Sequence, residues 1–147
     1  MDIRYFYKNN QHSYKHESII TYFGNAIAQV IELPPTLEVC LYDLGPEVYG
    51  GIDMYTINRI GLNYDLSFED LPKILTHELI HVNQKHTKLL EFRSNRHYYW
   101  RGIPYTNKTP DQLTHEEYQN LPWEIDVKER QSKVLQMALD LLSKDVL

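Results

Sequence analysis

The chain has 147 residues, which is enough for one domain with a real hydrophobic core and short for two. Hydrophobic residues make up 42% and charged residues 24%, a balance typical of soluble globular proteins rather than disordered ones. The net charge is −5 and the lysines and arginines are scattered, which argues against nucleic acid as a partner. We therefore expect one domain spanning residues 1–147.

The first residues of the chain contain no basic start followed by an apolar run, and no segment approaches membrane-spanning length. This pattern predicts a cytoplasmic protein that does not contact a membrane. The single cysteine, Cys40, cannot form an internal disulfide and lies in an apolar run. It is predicted to be a buried, inert thiol.

The first part of the chain predicts one helix followed by strands. Apolar residues recur at helical spacing over residues 18–33, and the two prolines at 34–35 should stop that helix. Residues 36–44 form a β-branched and aromatic run that ends in a Gly-Pro turn at 45–46, the pattern of a strand. Further strand signal continues through residues 49–66.

The middle of the chain predicts a second helix over residues 68–86. Ser67 and Asp70 have the spacing of a capping box with Asp in place of Glu, and Pro72 is tolerated in a first turn. The apolar stripe of this helix indicates that it packs against a core.

The last part predicts a hairpin and a long helix. Residues 97–105 have the pattern of two short strands about an Arg-Gly turn at 101–102, and residues 106–117 are predicted to be a polar loop. Asn120 is the predicted cap of a helix over residues 121–145, which has an early proline. Together the elements predict an α+β fold, with a small mixed or antiparallel sheet packed on the helix over 68–86.

Residues 77–81 read HELIH. In a helix, His77 and His81 project from the same side about 6 Å apart along the axis, where two imidazoles can share one zinc ion. Glu78 is rotated away from the two ligands and can reach a water, which is the position of a general base. The alternative is a helix with two histidines satisfied by other partners. Two histidines and a carboxylate beside an apolar stripe favour the metal site, because their burial needs compensation.

A third zinc ligand has to come from elsewhere in the chain. The spacing HExxHxxGxxH is excluded, because Gln84 and Thr87 stand where Gly and His are required. Glu124 falls on the apolar face of the last helix, so it is predicted to point inward and to complete the ligand set, whereas Asp126 and Glu129 should face solvent. Other third ligands remain open, with His115 and His97 next in order. Glu124 could instead pair with a buried lysine or arginine near the helix start.

With these residues in place, the chain resembles the zincin metallopeptidases, and among them the gluzincins, which carry HExxH on one helix and a glutamate ligand on a later one. The matching residues are HELIH at 77–81 and PWEID at 122–126. The resemblance implies a zincin-like fold with one zinc ion per chain, bound by His77, His81 and Glu124.

The same resemblance implies that Glu78 is the base. Gluzincins often place an aspartate four residues after the ligand glutamate, where it supports a histidine. Lys128 stands at that position here, so another residue must give this support. In such folds an edge strand beside the active helix pairs with extended substrate, and residues 59–66 are similar to that strand.

The function expected from the sequence is a zinc-dependent metallopeptidase that acts on a peptide or protein substrate. The alternative is a non-catalytic zincin-like domain that binds zinc or a protein partner. Hydrolysis also needs a hydrogen-bond donor for the oxyanion. Tyr118, His115, Arg101 and Tyr99 are all candidates for that role, and the sequence does not choose among them.

Overall fold

The structure of the chain, a computed structural model, describes residues 1–7, 14–42, 50–52 and 58–145. These residues form an α+β fold, as predicted, with four α-helices, a four-stranded sheet and a three-stranded sheet. The strands are β1 (Asp2–Tyr7), β2 (Thr36–Tyr42), β3 (Gly50–Ile52), β4 (Arg59–Asn63), β5 (Leu90–Phe92), β6 (Tyr98–Trp100) and β7 (Ile103–Thr106). The helices are α1 (Glu17–Ala28), α2 (Leu71–His86), α3 (His115–Gln119) and α4 (Pro122–Asp145), with a 3₁₀ turn at Pro110–Gln112.

The four-stranded sheet is mixed and has the order β1-β2-β4-β3. β1, β2 and β4 run parallel, and β3 pairs antiparallel with β4. The prediction that residues 59–66 form the edge strand is wrong, because β4 lies between β2 and β3. Local alternation shows which residues of a strand are buried, but strand order depends on pairing partners far along the chain. The predicted turn at 45–46 and the end of the predicted strand at 43–44 lie outside the described residues.

A large core lies between this sheet and helices α1, α2 and α4. The apolar face of α2 supplies Leu71, Leu75, Leu79 and Val82, all fully buried, so the position of this helix is fixed by packing. Among the described residues the large core comprises Tyr14, Ile20, Phe23, Ala26, Ile27, Leu37, Val39, Leu41, Ile60, Leu62, Leu66, Leu71, Leu75, Leu79, Ile80, Val82, Val127, Val134 and Ala138.

Helix α1 ends at Ala28, earlier than the predicted end at residue 33. The backbone N–H of Gln29 bonds to Ala26 O and that of Val30 to Ile27 O, which is a tightened final turn. Val30 and Ile31 still pack against the large core from this turn, which explains why the apolar spacing continues past the helix. The two prolines also favour extended backbone before them.

Helix α2 begins at Leu71, three residues after the predicted start, and ends at His86 as predicted. Ser67 and Asp70 do contact each other: the Asp70 N–H donates to Ser67 Oγ (3.3 Å), and that hydroxyl donates to Asp70 Oδ2 (3.0 Å). The pair closes the turn before the helix instead of capping it. Pro72 lies in the first turn, where its missing N–H has no helical partner to lose.

The three-stranded sheet is an antiparallel meander of β5, β6 and β7. The predicted hairpin is confirmed, and its turn has positive φ at Arg101 (52°) and Gly102 (81°), the geometry of a type I′ turn. β5 was not predicted. This sheet packs against the start of α4 through a small cluster that comprises Leu90, Tyr98, Leu121 and Trp123.

The segment before α4 is more ordered than predicted. Residues 106–117, expected as a loop, contain the end of β7, the 3₁₀ turn and the first turn of α3. Thr114 caps α3, because its side chain accepts the Glu117 N–H while the Glu117 side chain accepts the Thr114 N–H. Asn120 ends α3 instead of capping α4, and its side chain donates to Glu116 O.

Cys40 is buried and free, as predicted. In the part of the chain that the structure describes, none of the helices combines the length and the apolar character needed to cross a bilayer.

Candidate metal centre

Helix α2 and the first turn of α4 bring together the three predicted ligands. The rings of His77 and His81 lie on one side of α2 with their centroids 5.0 Å apart. His81 Nε2 is 3.0 Å from Glu124 Oε1, and His77 Nε2 is 3.6 Å from Glu124 Oε2. One ligand atom from each residue lies within 4.8 Å of the others. Convergence of these side chains is therefore a property of the fold.

The spacing of these atoms fits a small divalent cation. Two ligands of a tetrahedral zinc ion are roughly 3.3 Å apart when each lies about 2.0–2.1 Å from the metal. The nitrogen-to-oxygen separations of 3.0 and 3.6 Å in this cluster bracket that value. Because one ligand atom from each residue lies within 4.8 Å of the others, one zinc ion could contact all three residues once the side chains adjust around it.

The hydrogen bonds behind the histidines determine which ring nitrogen faces the cluster. His81 Nδ1 is 2.8 Å from Gln84 Oε1, and His77 Nδ1 is 3.3 Å from Gln131 Oε1. Because an amide oxygen can only accept, Nδ1 carries the hydrogen in both rings. Each Nε2 is then directed at Glu124, which is the tautomer that metal-binding histidines need.

This arrangement requires a positive charge at the cluster. A neutral histidine with hydrogen on Nδ1 has a lone pair on Nε2, and a carboxylate oxygen presents another lone pair to it. At 3.0 Å, His81 Nε2 and Glu124 Oε1 would repel each other without a proton or a metal ion between them. Either one satisfies the contact, and only a metal ion can bind all three residues at once.

The pKa values of the cluster also reflect attraction between the histidines and Glu124. Burial lowers the pKa of His77, but its hydrogen bond to Glu124 and the negative charge of Glu78 outweigh burial and leave that pKa raised. Burial raises the pKa of Glu124, but hydrogen bonds from His77 and His81 outweigh it, and the pKa lies well below the ordinary range. Glu124 is therefore an anion at neutral pH, as a metal ligand has to be.

Glu78 lies in the same buried region but is not one of the three grouped ligands. Burial raises the pKa of its carboxyl, and the positive charges of His81 and His77 offset only part of that effect. The negative charge of Glu124 raises the pKa of Glu78 further. Glu78 is therefore a buried carboxyl beside the ligand cluster.

Of the four candidates for an oxyanion donor, Tyr118 lies at the cluster. Its hydroxyl hydrogen-bonds to the Glu124 carboxylate, and burial together with the negative charge of Glu124 raises the pKa of Tyr118. The Tyr99 hydroxyl instead accepts a bond from Asn95 (2.6 Å), while the Arg101 guanidinium lies 5.8 Å from the Trp100 ring centroid. His115 is exposed in α3.

The first turn of α4 directs Glu124 inward because its neighbours are buried on both sides of the turn. Leu121 and Trp123 belong to the small cluster, and Val127 belongs to the large core. Glu129 is exposed, as predicted. The prediction that Asp126 faces solvent is wrong, because its carboxylate accepts hydrogen bonds from Arg130 and from a glutamine of α2, which draws it inward.

The alternative third ligands do not join this group. His97 Nδ1 lies 3.2 Å from Asn95 O, and His115 is exposed. Sequence reasoning missed the residues behind the histidines, Gln84 and Gln131. The sequence did contain one signal for Gln84. A polar side chain three positions after a ligand histidine lies next to that histidine on the helix.

Comparison of the chain with protein-family models, with curated proteins and with solved structures finds no match in any of the three.

Proposed function

We propose that this chain is a zinc-dependent peptidase of the zincin type, with His77, His81 and Glu124 as the metal ligands and Glu78 as the general base. The observation that carries the proposal is the buried Glu78 carboxyl beside a cluster of two imidazoles and one carboxylate. A site that only bound a metal would have no need for a second buried carboxyl next to it, because that carboxyl raises the cost of burial.

The number of donors supports a catalytic site over a structural one. Structural zinc sites are closed by four protein ligands, whereas catalytic sites have three and leave one position open. The group in the described part of the chain offers three. The donor set of two histidines and one glutamate is that of established zinc peptidases.

The roles of the side chains follow from their chemistry. Bound zinc would activate a water and polarise the scissile carbonyl. Glu78 would accept the proton of the attacking water and pass it to the leaving amine. The Tyr118 hydroxyl, which hydrogen-bonds to Glu124 in the zinc-free site, would turn its single hydrogen to the oxygen that becomes negative.

An extended peptide is the substrate class that the sheet favours. β3 is the outer strand of the described four-stranded sheet and contacts α2, the helix that carries HELIH. A free strand edge presents backbone N–H and C=O groups that an extended peptide can pair with. We propose that β3, rather than the predicted β4, aligns the substrate with the site.

The substitution Glu78→Gln tests the proposal. The variant should bind one zinc ion per chain and fold as the parent does, while cleavage of a mixture of unstructured peptides, followed by mass spectrometry, should fall by about 10²–10⁴-fold. Removal of zinc with a chelator should abolish cleavage in the parent, and added zinc should restore it.

Glu129→Gln is the matched control, because it makes the same chemical change at an exposed position of α4 and should leave cleavage unchanged. Equal cleavage by the parent and Glu78→Gln would overturn the proposed role of Glu78. One bound zinc with no cleavage of any peptide would instead favour the non-catalytic zinc-binding alternative.

A further inference from the structure

Gln84 is a fully buried polar side chain whose hydrogen-bonding groups all find partners. Its Oε1 lies 2.8 Å from His81 Nδ1, and its Nε2 donates to Trp123 O (2.9 Å) and to Asp126 Oδ2 (2.9 Å). It has no exposed surface. A glutamine buried this deeply would be costly without these bonds, so the three contacts account for its presence in the core.

The orientation of the Gln84 amide is determined by its neighbours. A backbone carbonyl accepts hydrogen bonds only, and so does an ionised carboxylate, so the amide nitrogen has to face Trp123 O and Asp126. The amide oxygen is then left facing His81. Gln84 therefore fixes the hydrogen of His81 on Nδ1 and leaves Nε2 free for a metal.

The same side chain also holds the other helix of the site. Trp123 O belongs to the peptide group that joins Trp123 to Glu124, so the bond from Gln84 restrains the backbone at the third ligand. One residue of α2 thus contacts a ligand on its own helix and the backbone next to a ligand on α4. Gln131 differs from Gln84 in this respect, because its Nε2 bonds to Lys73 O on α2.

Gln84 is itself held by a chain of hydrogen bonds across the two helices. Asp126 Oδ2 also accepts from Arg130 Nη1 (3.0 Å), and Arg130 Nη2 donates to Asn83 Oδ1 (2.8 Å). Asn83 Nδ2 then donates to Glu32 O (2.8 Å), beyond the end of α1. Networks of this kind keep a side chain in one rotamer, because each bond restricts the next.

From these contacts we propose that Gln84 is a positioning residue that sets both the tautomer of His81 and the placement of Glu124 relative to it. This role rests on the proposed zinc site. Gln84 would give the histidine support that an acidic residue at position 128 could have given. Lys128 stands there instead, is exposed, and donates from its Nζ to Gln119 O.

Paired substitutions test the proposal. Gln84→Met and Gln131→Met make the same change behind His81 and behind His77. Gln84→Met should lower the affinity for Zn²⁺, measured by competition with a chromophoric chelator, by about 10–100-fold. Gln131→Met should lower it by only about two- to threefold, because water can replace a longer bond at the half-exposed His77.

A measurement on the zinc-free protein separates this proposal from the proposed function. Nitrogen-15 NMR of the imidazoles should show hydrogen on Nδ1 of His81 in the parent, whether or not Nε2 also carries one. In Gln84→Met the neutral ring should instead carry its hydrogen on Nε2, which faces Glu124. If the parent binds no zinc, the proposed function fails, while the NMR result still decides whether Gln84 orients His81.

If Gln84→Met does not fold, a second pair of variants tests the same role. Gln84→Glu places two carboxylates against each other at Asp126 and removes the bond to Trp123 O, whereas Gln84→Glu with Asp126→Asn restores one donor and one acceptor at position 126 only. The double variant should bind Zn²⁺ more tightly than Gln84→Glu alone, by about tenfold for a pair in direct contact. Equal zinc affinity in these two variants, or in the two methionine variants, would overturn the positioning role.

Discussion

The large core and the small cluster hold the two halves of the candidate site, and they differ in size. Among the described residues the large core contains 19 buried residues, whereas the small cluster contains four. His77 and His81 project from α2, which packs in the large core. Glu124 and Tyr118 lie where α3 and the start of α4 meet the small cluster. The two histidines therefore depend on the large core alone, whereas Glu124 depends on the large core through Val127 and also on the small cluster.

The first prediction compares one substitution in the two regions. Leu37→Ala removes a fully buried side chain of β2 and should lower the free energy of unfolding by about 2–5 kcal/mol, because it leaves a cavity in a region that cannot collapse. Leu121→Ala should cost less, about 2 kcal/mol, because the small cluster can relax around the gap. Urea denaturation measures both values.

Zinc affinity should show the opposite order. Leu121→Ala loosens the start of α4 and should weaken Zn²⁺ binding, whereas Leu37→Ala should leave it nearly unchanged in the folded protein. An equal loss of zinc affinity in both variants would mean that the two regions do not act separately on the site.

The second prediction concerns Tyr118, which packs against the small cluster. Under the proposed mechanism, Tyr118→Phe should reduce kcat by about 10²–10³-fold with little change in KM, because it removes a donor that acts on the transition state. Steady-state kinetics on a cleaved peptide give both constants.

Tyr99→Phe is the matched control, because its hydroxyl bonds to Asn95 and not to Glu124. It should leave kcat unchanged. A rise in KM together with the fall in kcat in Tyr118→Phe would instead point to an altered site geometry.

The third prediction has the smallest effect and concerns the large core alone. The Tyr14 hydroxyl donates to Leu66 O (3.0 Å), and burial raises the pKa of Tyr14 from its usual 10.0 to about 12. The unfolded chain releases this proton near pH 10 while the folded protein keeps it, so the stability from Tyr14 is present below pH 10 and is lost as the pH rises toward 12.

Tyr14→Phe should lower the free energy of unfolding by about 1 kcal/mol at neutral pH, because one hydrogen bond is lost. The stability of the variant should also fall less steeply than that of the parent between pH 10 and 12, measured by thermal unfolding at each pH. Parallel pH curves for the two proteins would contradict the raised pKa.

The parts of the site that depend on one helix could be predicted from local periodicity. The four-residue spacing of HELIH places His77 and His81 on one side of α2, and the apolar periodicity of α4 turns Glu124 inward, because both follow from 3.6 residues per turn. The positions of β4 and Asp126 were predicted wrongly for the opposite reason, since each depends on a partner from another part of the chain.

Two contacts of the site depend on the tertiary fold. The two imidazoles and the carboxylate meet, and Gln84 bonds to the backbone of Trp123, 39 residues further along the chain. These contacts depend on how α2 packs against α4, and that packing is the joint result of the large core and the small cluster. Local periodicity gives the direction of a side chain from its own helix, but the distance between two helices is set by everything buried between them.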